Sequence, residues 1–594
     1  MRKLVSVVTA IALTVAGISV NFSTAKAATD VIKISTQKQL IDFWCSNQRN
    51  VRVELTKDII FDKPYHIEEN NYNSFAVMNN CFFDGNGHTI KNFEVIVGDD
   101  TTYYRAFHEL LVDSTITDVV IERTRNIEGD DVNIGLLAEG SRGATIDNIE
   151  LKGSFSVSST DGISFQFIAG SMQESTLSHC INNMKVNFSD NITVKGMATY
   201  IQSGTIIDCV NNANMNGDIC SCIVSDAYKS TIKNVVNNGN IVTSSLRFGA
   251  VAQTGDSSKF YSCVNNGVIV STHEMTDNGT VSGSIGGIAG KVDCKNGDTL
   301  FSDCHNRNKI ECDAVSEVGG IVGDNEFSDA FYNYIFTGCS NEGDIIVKSS
   351  NGGINTGGIL GFGYSTEITN CINSGNISCQ GLGTGGIVGE LYSYTCKMTS
   401  CLNTGNVTGG KFAGGAVGYY VDNKLSASKI FNTGTVGSKT DGAVVGKLFN
   451  YENDSAPTLS ECEENHIHTY VNTIVKKPTV QSTGILRKQC SKCNIYTDST
   501  IAKLKVGKSK VKSVKNVKKL SIKVTFAKAS NAKTYQIQYA NNRKFKSAKR
   551  KTAKKLTYTI TKLKKGKIYW IRVRAVNGKV NGVWSTAKRI KVTK

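Results

Sequence analysis

The sequence has few prolines, few long apolar runs, no acidic residue near its C-terminus and no common hydrolase motif. Only 3 of its 594 residues are proline, which favours stacked strands, where nearly every backbone N–H is needed as a donor. After the N-terminal segment, no run is long and apolar enough for a membrane-spanning helix, which argues against a transmembrane protein. The HExxH and GxSxG motifs are both missing, and no Cys-His signature points to a cysteine nucleophile.

What the sequence does contain is an internal repeat. The phrase Cys-x-Asn-x-Gly-x-Ile/Val, or a close variant, occurs nine times between residues 180 and 436, and a second phrase of the type GGIVG recurs between its copies. Regular self-similarity with a period near 30 residues indicates stacked, similar structural units. The shared asparagines are Asn182, Asn211, Asn237, Asn265, Asn306, Asn341, Asn373, Asn403 and Asn432.

Each unit has the composition of strands and turns. Short runs of Ile and Val alternate with Gly, Asn, Ser and Thr, because β-branched residues favour strands whereas Gly and Asn favour turns. Units of two or three short strands would stack by backbone pairing at about 4.8 Å per coil. We therefore predict an all-β fold, with a right-handed parallel β-helix as its main part.

The repeated cysteines are predicted to form one column of the core. In two copies of the repeat, Val235 and Ile430 occupy the cysteine position, so the site behaves as a small apolar position rather than a row of metal ligands or disulfides. The asparagines are interpreted as turn residues or as an internal amide ladder. The column comprises Cys180, Cys209, Cys263, Cys304, Cys339, Cys371 and Cys401.

Two groups of motifs resemble known families. The GGIVG phrases resemble the GLUG repeats of bacterial surface proteins, and the stretch Phe83–Ile90 (FDGNGHTI) resembles the early coils of pectate-lyase-like right-handed β-helices. The resemblance extends over roughly residues 30–450 and implies architecture rather than activity. We assign 28–130 to N-terminal coils and 131–450 to GLUG-like solenoid repeats.

The N-terminus predicts export. Arg2 and Lys3 precede an apolar run, and Ala25-Lys26-Ala27 supplies a small-residue cleavage site, so residues 1–27 are interpreted as a signal peptide. The expected location is secreted or at the cell surface.

The C-terminal segment 503–594 differs sharply in charge from the rest. It contains 30 of the 67 Lys and Arg but none of the 51 Asp and Glu, giving +30 against −14 for residues 1–502. Alternating apolar residues predict a β-sandwich, and the segment Leu563-x-x-Gly566-x-x-Tyr569 resembles the tyrosine-corner region of fibronectin type III domains. Phe526 stands where that family usually has Trp. The segment contains no Arg-Gly-Asp motif, so the resemblance does not imply integrin binding.

Clusters of basic residues in this segment make polyanion binding a hypothesis. We expect anionic cell-wall or extracellular polymers, such as teichoic acids or acidic glycans, as partners. No base-recognising motif occurs, so nucleic acid would be bound only nonspecifically. The candidate residues are Lys549, Arg550, Lys551, Lys554, Lys555, Lys564, Lys565 and Lys567.

Residues 456–502 form a predicted Cys/His module or linker. Cys462, His468, Cys490 and Cys493 have the residue types and spacing of a structural zinc site. The string also resembles a short module found beside repeats in Gram-positive surface proteins, although Val480 stands where that module has a ligand. A disulfide or free thiols remain alternatives, and no other cofactor is expected.

Two functions remain open from the sequence. The first is a non-catalytic binding or adhesion protein, whose acidic solenoid contacts a host or bacterial surface ligand. The alternative is a carbohydrate-active β-helix lyase or hydrolase acting on an acidic polysaccharide, which would need paired carboxylates. Asp84 and His88, Asp99-Asp100 and Asp130-Asp131 are the candidates, but Asp-Gly-Asn-Gly is also ordinary turn chemistry.

Overall fold

A computed structural model gives the fold of the chain in two compact units, residues 1–466 and 467–594. The residues that it describes are 31–68, 77–98, 101–107, 110–129, 133–160, 162–189, 192–272, 283–313, 315–325, 332–349, 353–392, 396–421, 425–437, 444–449, 458–460, 463–464, 469–491, 496–517 and 520–593. The predicted signal peptide lies outside this part of the chain.

The first unit is a β-solenoid of about 12 turns, which confirms the predicted fold class. Short strands of successive coils pair in parallel register, as in the run Asn182↔Asn211↔Asn237↔Asn265. Within the described residues, the largest sheet (sheet 1) has 29 strands. They are Val31–Ile34, Arg52–Leu55, Ile59–Ile60, Phe82–Asp84, Thr89–Lys91, Thr115–Arg123, Ile127–Glu128, Thr145–Ser158, Thr176–Ser178, Ile181–Asn182, Lys185–Phe188, Thr205–Ile207, Val210–Asn211, Thr231–Lys233, Val236–Asn237, Lys259–Tyr261, Val264–Asn265, Thr299–Ser302, His305–Asn306, Tyr334–Thr337, Ser340–Asn341, Thr366–Thr369, Ile372–Asn373, Cys396–Thr399, Leu402–Asn403, Leu425–Ser428, Phe431–Asn432, Thr458–Ser460 and Glu463–Glu464.

Three further parallel sheets complete the coils. Sheet 2 consists of Gln48–Arg49, Val77–Asn79, Leu110–Val112, Ala138–Arg142, Ala169–Gln173, Ala198–Gln202, Val224–Tyr228, Ala252–Asp256, Ala289–Asp293, Val322–Asn325, Leu360–Gly363, Val388–Tyr392, Val417–Val421 and Val445–Phe449. Sheet 3 consists of Asn133–Gly135, Ile163–Gln166, Ile192–Val194, Met215–Ile219, Ile241–Thr243, Ile269–Ser271, Ile310–Cys312, Ile345–Val347, Ile377–Cys379 and Val407–Thr408. Sheet 4 consists of Arg247–Gly249, Ser284–Gly286, Glu317–Gly319, Asn355–Gly357, Gly383–Gly385 and Phe412–Gly414.

The N-terminal coils contain a small additional sheet and the single α-helix of the described residues. The sheet joins Tyr65–Ile67, Val95–Val97 and Thr101–Tyr103. The helix, Gln37–Trp44, begins after Thr36, whose hydroxyl accepts a hydrogen bond from the backbone N–H of Gln39, as an N-cap does. The buried Trp44 donates its indole N–H to the carbonyl of Phe107 at 2.9 Å, which attaches the helix to the core. No helix in the described part of the chain is long and apolar enough to cross a membrane.

The repeated cysteines form the predicted core column. All seven are fully buried, and each Sγ lies 3.2–3.8 Å from the carbonyl oxygen two residues earlier, as a weak donor does. Val235 and Ile430 are also fully buried at the same phase. Sulfur and aliphatic groups are therefore interchangeable at this position, since its main contribution is apolar packing.

The repeated asparagines form an internal ladder and also close turns. Each Nδ2 of the first eight donates to the Oδ1 of the asparagine in the next coil at 2.7–3.0 Å. In the same side chains, from Asn211 onward, Nδ2 also donates to the carbonyl two residues later, as Asn237 does to Gly239 at 2.9 Å. Both roles predicted for these residues are thus filled at once.

The GGIVG phrases fold the strands of sheet 4 back against sheet 2. The last glycine of each phrase lies so close to a sheet 4 backbone that a Cβ would meet it: 2.7 Å from the N of Val318 at Gly361, and 2.5 Å from the N of Thr356 at Gly389. Real Cβ atoms do not approach so closely, so only glycine permits this contact. The residues directly after these glycines consequently lie beside the first residues of the sheet 4 strands.

The stretch Phe83–Ile90 forms a turn. Asp84 accepts a hydrogen bond from the N–H of Asn86 at 2.9 Å, and Asn86 and Gly87 have positive φ values of 50° and 73°. This geometry is an Asx turn, with His88 beside Asp58 at 3.2 Å. The residue pairs 99–100 and 130–131 lie outside the described residues.

The second unit begins with an antiparallel sheet of three strands, Tyr470–Lys476, Gly484–Cys490 and Tyr496–Ile501. A β-sandwich follows, as predicted. One of its sheets contains Val511–Val517, Ser521–Phe526 and Thr557–Ile560, and the other contains Lys549–Ala553, Thr534–Ala540, Ile568–Asn577, Val580–Asn581 and Lys588–Lys591. Its core includes Phe526, Ile537 and Val573, so Phe fills the position where Trp is usual.

The tyrosine corner is also present. The backbone N–H of Lys564 donates to the hydroxyl of Tyr569 at 3.3 Å. This contact ties the start of the strand Ile568–Asn577 to the turn before it, as the sequence of the segment predicts.

Candidate functional site

The outer face of the larger sandwich sheet holds the main cluster of basic residues. The central strand Thr534–Ala540 pairs Gln538 with Arg550 on one side and with Arg572 on the other, while Gln536 pairs with Arg574. Tyr535, Ile537 and Tyr539 alternate with these residues and point into the core. The period of two therefore places all three arginines on the outer face.

The arginines are held by neighbouring polar and aromatic groups. The Nε of Arg572 donates to Oε1 of Gln538 at 2.7 Å, and the Nε of Arg574 donates to Oε1 of Gln536 at 2.9 Å. Trp584 lies under both guanidinium groups, with its ring 4.8 Å from the Cζ of Arg572 and 4.6 Å from that of Arg574. Such cation–π stacking restricts the planar guanidinium groups and leaves their remaining N–H groups as donors.

Two more aromatic rings extend this surface. Arg572 also stacks on Phe545 at 4.1 Å, and Arg543 lies over Trp570 at 5.7 Å. We call this surface the Arg-aromatic face, and it consists of Arg543, Phe545, Arg550, Trp570, Arg572, Arg574 and Trp584.

The electrostatics of the Arg-aromatic face are those of an uncompensated cation cluster. Partial burial lowers the pKa of Arg572, and the positive charge of Arg550 lowers it further; the pKa of Arg574 is lowered for the same reasons, with Arg572 contributing. Segment 503–594 contains no carboxylate side chain. No carboxylate of this segment therefore offsets the mutual repulsion of the cations, which solvent and bound anions would relieve.

The eight predicted polyanion-binding residues do not all meet. Lys549–Lys551 lie on an edge strand that runs in the same direction as the strand Ile568–Asn577. Lys554 and Lys555 follow the edge strand and so lie near the end of Ile568–Asn577, whereas Lys564–Lys567 precede its start. Eight residues of strand separate these two turns, or roughly 25 Å. All eight side chains are exposed, but only Arg550 joins the Arg-aromatic face.

Trp570, Arg572 and Arg574 were not among the residues predicted to bind polyanions. That prediction rests on runs of lysine, because these are contiguous in sequence. The signal that identifies the Arg-aromatic face is alternation: Arg572 and Arg574 are separated by one core residue, Val573. Trp584 has no such signal, since it lies in a loop outside the strands.

The proposed zinc ligands fall mostly outside the described residues. Cys462, His468 and Cys493 are not among them, and for Cys490 only the backbone is described, paired with Tyr470. Structural zinc therefore stays a prediction.

The fold defines an all-β repeat protein in which a β-solenoid is followed by a β-sandwich domain. Residues 510–590 match the family of the fibronectin type III domain, so the sandwich is a fibronectin type III domain. One similar solved structure, the crystal structure of chicken CNTN1 FN1-FN3 domains, is 21% identical, with a TM-score of 0.15. That match covers 19% of this chain and 42% of the other, which is less than half of its length. No curated protein matches the chain.

Proposed function

We propose that this is a secreted or cell-surface binding protein whose fibronectin type III domain attaches to anionic polymers through the Arg-aromatic face. The observation that supports this proposal is the placement of Arg550, Arg572 and Arg574 on one sheet face in a domain without carboxylates. Both the fibronectin type III domain and the solenoid are consistent with a binding or adhesion role.

Arginine suits the proposed ligands better than the lysine runs do. A guanidinium group offers paired N–H donors that match phosphate, sulfate and carboxylate oxygens, and its side chain loses less freedom when it is already stacked. Teichoic acids and acidic glycans present such groups repeatedly along a chain. The separate lysine turns would then add long-range attraction that salt screens.

The acidic solenoid would contact a partner, a host or bacterial surface ligand, while the cationic domain attaches the protein to its matrix. Export, a bacterial source and membership of the GLUG repeats belong to the same proposal, which rests on the N-terminal sequence and on the GGIVG phrases. Nucleic acid would compete only nonspecifically.

The test compares two triple variants of residues 28–594 on heparin and lipoteichoic acid resins. In the first, Arg550, Arg572 and Arg574 become Gln; in the second, the matched control, Lys512, Lys515 and Lys523 on the other sheet become Gln. These three lysines are exposed, so the control removes the same charge elsewhere.

We expect the arginine variant to elute at clearly lower salt than the wild type and the control to elute near it. If binding depended only on net charge, the two variants would elute together, and the proposed face would be wrong. Circular dichroism of both variants checks that the domain remains folded.

A further inference from the structure

A cluster of buried and half-buried carboxyl, amide and aromatic groups lies on the flank of the solenoid, where sheet 4 folds back on sheet 2. In sheet 4 the parallel register stacks Ser284, Glu317 and Asn355. In sheet 2 it stacks Asp324, Phe362, Glu390 and Tyr419. We call these seven residues the flank cluster.

The close glycine contacts bring the two stacks together. Asn355 accepts a hydrogen bond from the N–H of Gly383 through its Oδ1 at 3.1 Å. Its side chain also lowers the pKa of both Glu317 and Glu390 by hydrogen bonding, although burial raises each pKa more. One amide side chain therefore lies beside two carboxyl groups that come from strands far apart in sequence.

Asn355, Glu390 and Ser284 are buried, Glu317 and Asp324 are half-buried, and not all of their polar atoms are paired. Asn355 and Glu390 are 3% and 7% exposed, and Ser284 is 2% exposed. The Oγ of Ser284 and the Oε2 of Glu317 are both buried without a hydrogen-bond partner among the described residues. Because unpaired buried polar groups are costly, two such atoms in one stack indicate that something else satisfies them.

Aromatic rings border the polar groups. Phe412 and Tyr419 stack in parallel with centroids 4.9 Å apart. Tyr364 packs edge-on against both Phe362, at 5.1 Å, and Tyr392, at 5.2 Å. Tyr392 is 37% exposed, so this border reaches the solvent.

The protonation of the carboxyl groups restricts what they bind. Burial raises the pKa of Glu390 to about 7, and burial together with the charges of Asp324 and Glu390 raises the pKa of Glu317 well above its usual range. A protonated carboxyl both donates and accepts hydrogen bonds, as a ligand hydroxyl does.

A metal ion fits the flank cluster poorly. Among the described residues, no group of three or more His, Cys, Asp or Glu side chains is arranged to hold one. Lys291 also lies 3.7 Å from Asp324, so one of the three acids already faces a cation.

We propose that the flank cluster binds a neutral saccharide, with Glu317 and Glu390 pairing with its hydroxyls and the bordering aromatic rings packing on its apolar faces. Sites of this kind combine apolar walls with a few convergent polar groups. This inference rests on the binding role proposed for the solenoid and names the chemical class of its ligand.

The test uses an array of neutral hexasaccharides built from glucose, mannose, galactose or N-acetylglucosamine, probed with residues 28–594. Tyr392→Ala changes an exposed ring and should leave the fold intact. Glu390→Leu removes the carboxyl group. The apolar side chain should be tolerated there, because the neighbouring coils have Phe362 and Tyr419 at the same position. Asp226→Asn, in the same stack but two coils before Lys291, is the matched control.

We expect binding to at least one of the four sugars, weakened at least about tenfold by Tyr392→Ala and by Glu390→Leu, since each change removes a direct contact. Asp226→Asn should bind as the wild type does. The inference is overturned if none of the sugars binds, or if Tyr392→Ala and the control bind alike. Release of reducing ends that stops in Glu390→Leu would also overturn it, because the site would then be catalytic.

This outcome is separable from that of the proposed function. The Arg550, Arg572 and Arg574 variant should lose retention on heparin but keep saccharide binding, and Glu390→Leu should show the reverse. If only one of the two measurements, heparin retention or saccharide binding, contradicts its expected result, only the corresponding proposal is disproved.

Discussion

Two neighbouring asparagines, Asn237 and Asn238, provide a direct test of how the solenoid is stabilised. Asn237 is fully buried: its Nδ2 donates to Gly239 O at 2.9 Å and to Asn265 at 2.8 Å, and its Oδ1 accepts from Asn211 at 2.7 Å. Asn238 is exposed and belongs to an outer ladder, in which it donates to Asn212 and accepts from Asn266, both at 2.8 Å. The two side chains thus make similar contacts in opposite environments.

Substitution by alanine should therefore have very different costs. Asn237→Ala removes one hydrogen bond from each of at least three buried groups, at about 1–2 kcal/mol each, so the free energy of local unfolding should fall by about 3–5 kcal/mol. Asn238→Ala leaves its partners in contact with water, and the loss should be below about 1 kcal/mol.

The buried thiols of the adjacent coils provide the assay. Cys209 and Cys263 are fully buried, so they react with a thiol reagent only when their coils open locally. With reagent low enough that reclosing outpaces labelling, the rate follows the opening equilibrium. Asn237→Ala should raise labelling of both thiols by roughly two to three and a half orders of magnitude, and Asn238→Ala by less than about tenfold.

Similar labelling of the two variants would refute this reasoning. It would mean that the inner ladder contributes no more than an exposed one, and that the apolar core alone holds the coils together. Mass spectrometry of the labelled peptides locates the opening, which is needed because a repeat protein does not unfold as one unit.

Three further predictions follow from other contacts. Cys339→Val should change the free energy of local opening, measured by thiol labelling of Cys304 and Cys371, by no more than about 1 kcal/mol, because Val235 already fills the same position in another coil; a large loss would show that the thiol contacts to carbonyls matter. Tyr569→Phe should destabilise the fibronectin type III domain by about 1 kcal/mol in thermal unfolding, since the N–H of Lys564 loses its partner, and an unchanged midpoint would discount the tyrosine corner. Glu390→Gln should stabilise the chain at pH 8 by up to about 3 kcal/mol and have little effect at pH 4.5. The reason is that the pKa of Glu390 is raised from 4.5 to about 7 by folding, so its protonated form stabilises the fold below pH 4.5, and this stabilisation is lost as pH rises through 7. Labelling of Cys379 and Cys396 at each pH, relative to the wild type, measures the effect, and a stabilisation that is equal at both pH values would contradict it.

The fold was predictable because the repeat constrains it strongly. A position that accepts Cys, Val or Ile in different coils must be apolar and internal, and an invariant Asn beside it must have its amide paired. The helix Gln37–Trp44 was not predicted, since it occurs once and has no counterpart in the repeats. The basic surface was predicted only in part: charge and alternation are visible in the sequence, but which basic residues share one face depends on the strand order.

The flank cluster was not predicted, because the predictions rest on what the repeats share. In the phrases GGIAGK, GGIVGD, GGILGF, GGIVGE and GGAVGY, the glycines are constant while the next residue changes from Lys to Asp, Phe, Glu and Tyr. The constant glycines permit the two sheets to approach, and the changing residue lies beside the first residue of a sheet 4 strand. A solenoid fixes its core positions through stacking, so an individual coil can differ chemically more easily at its flank. The proposed saccharide site therefore lies where the copies of the repeat differ rather than where they agree.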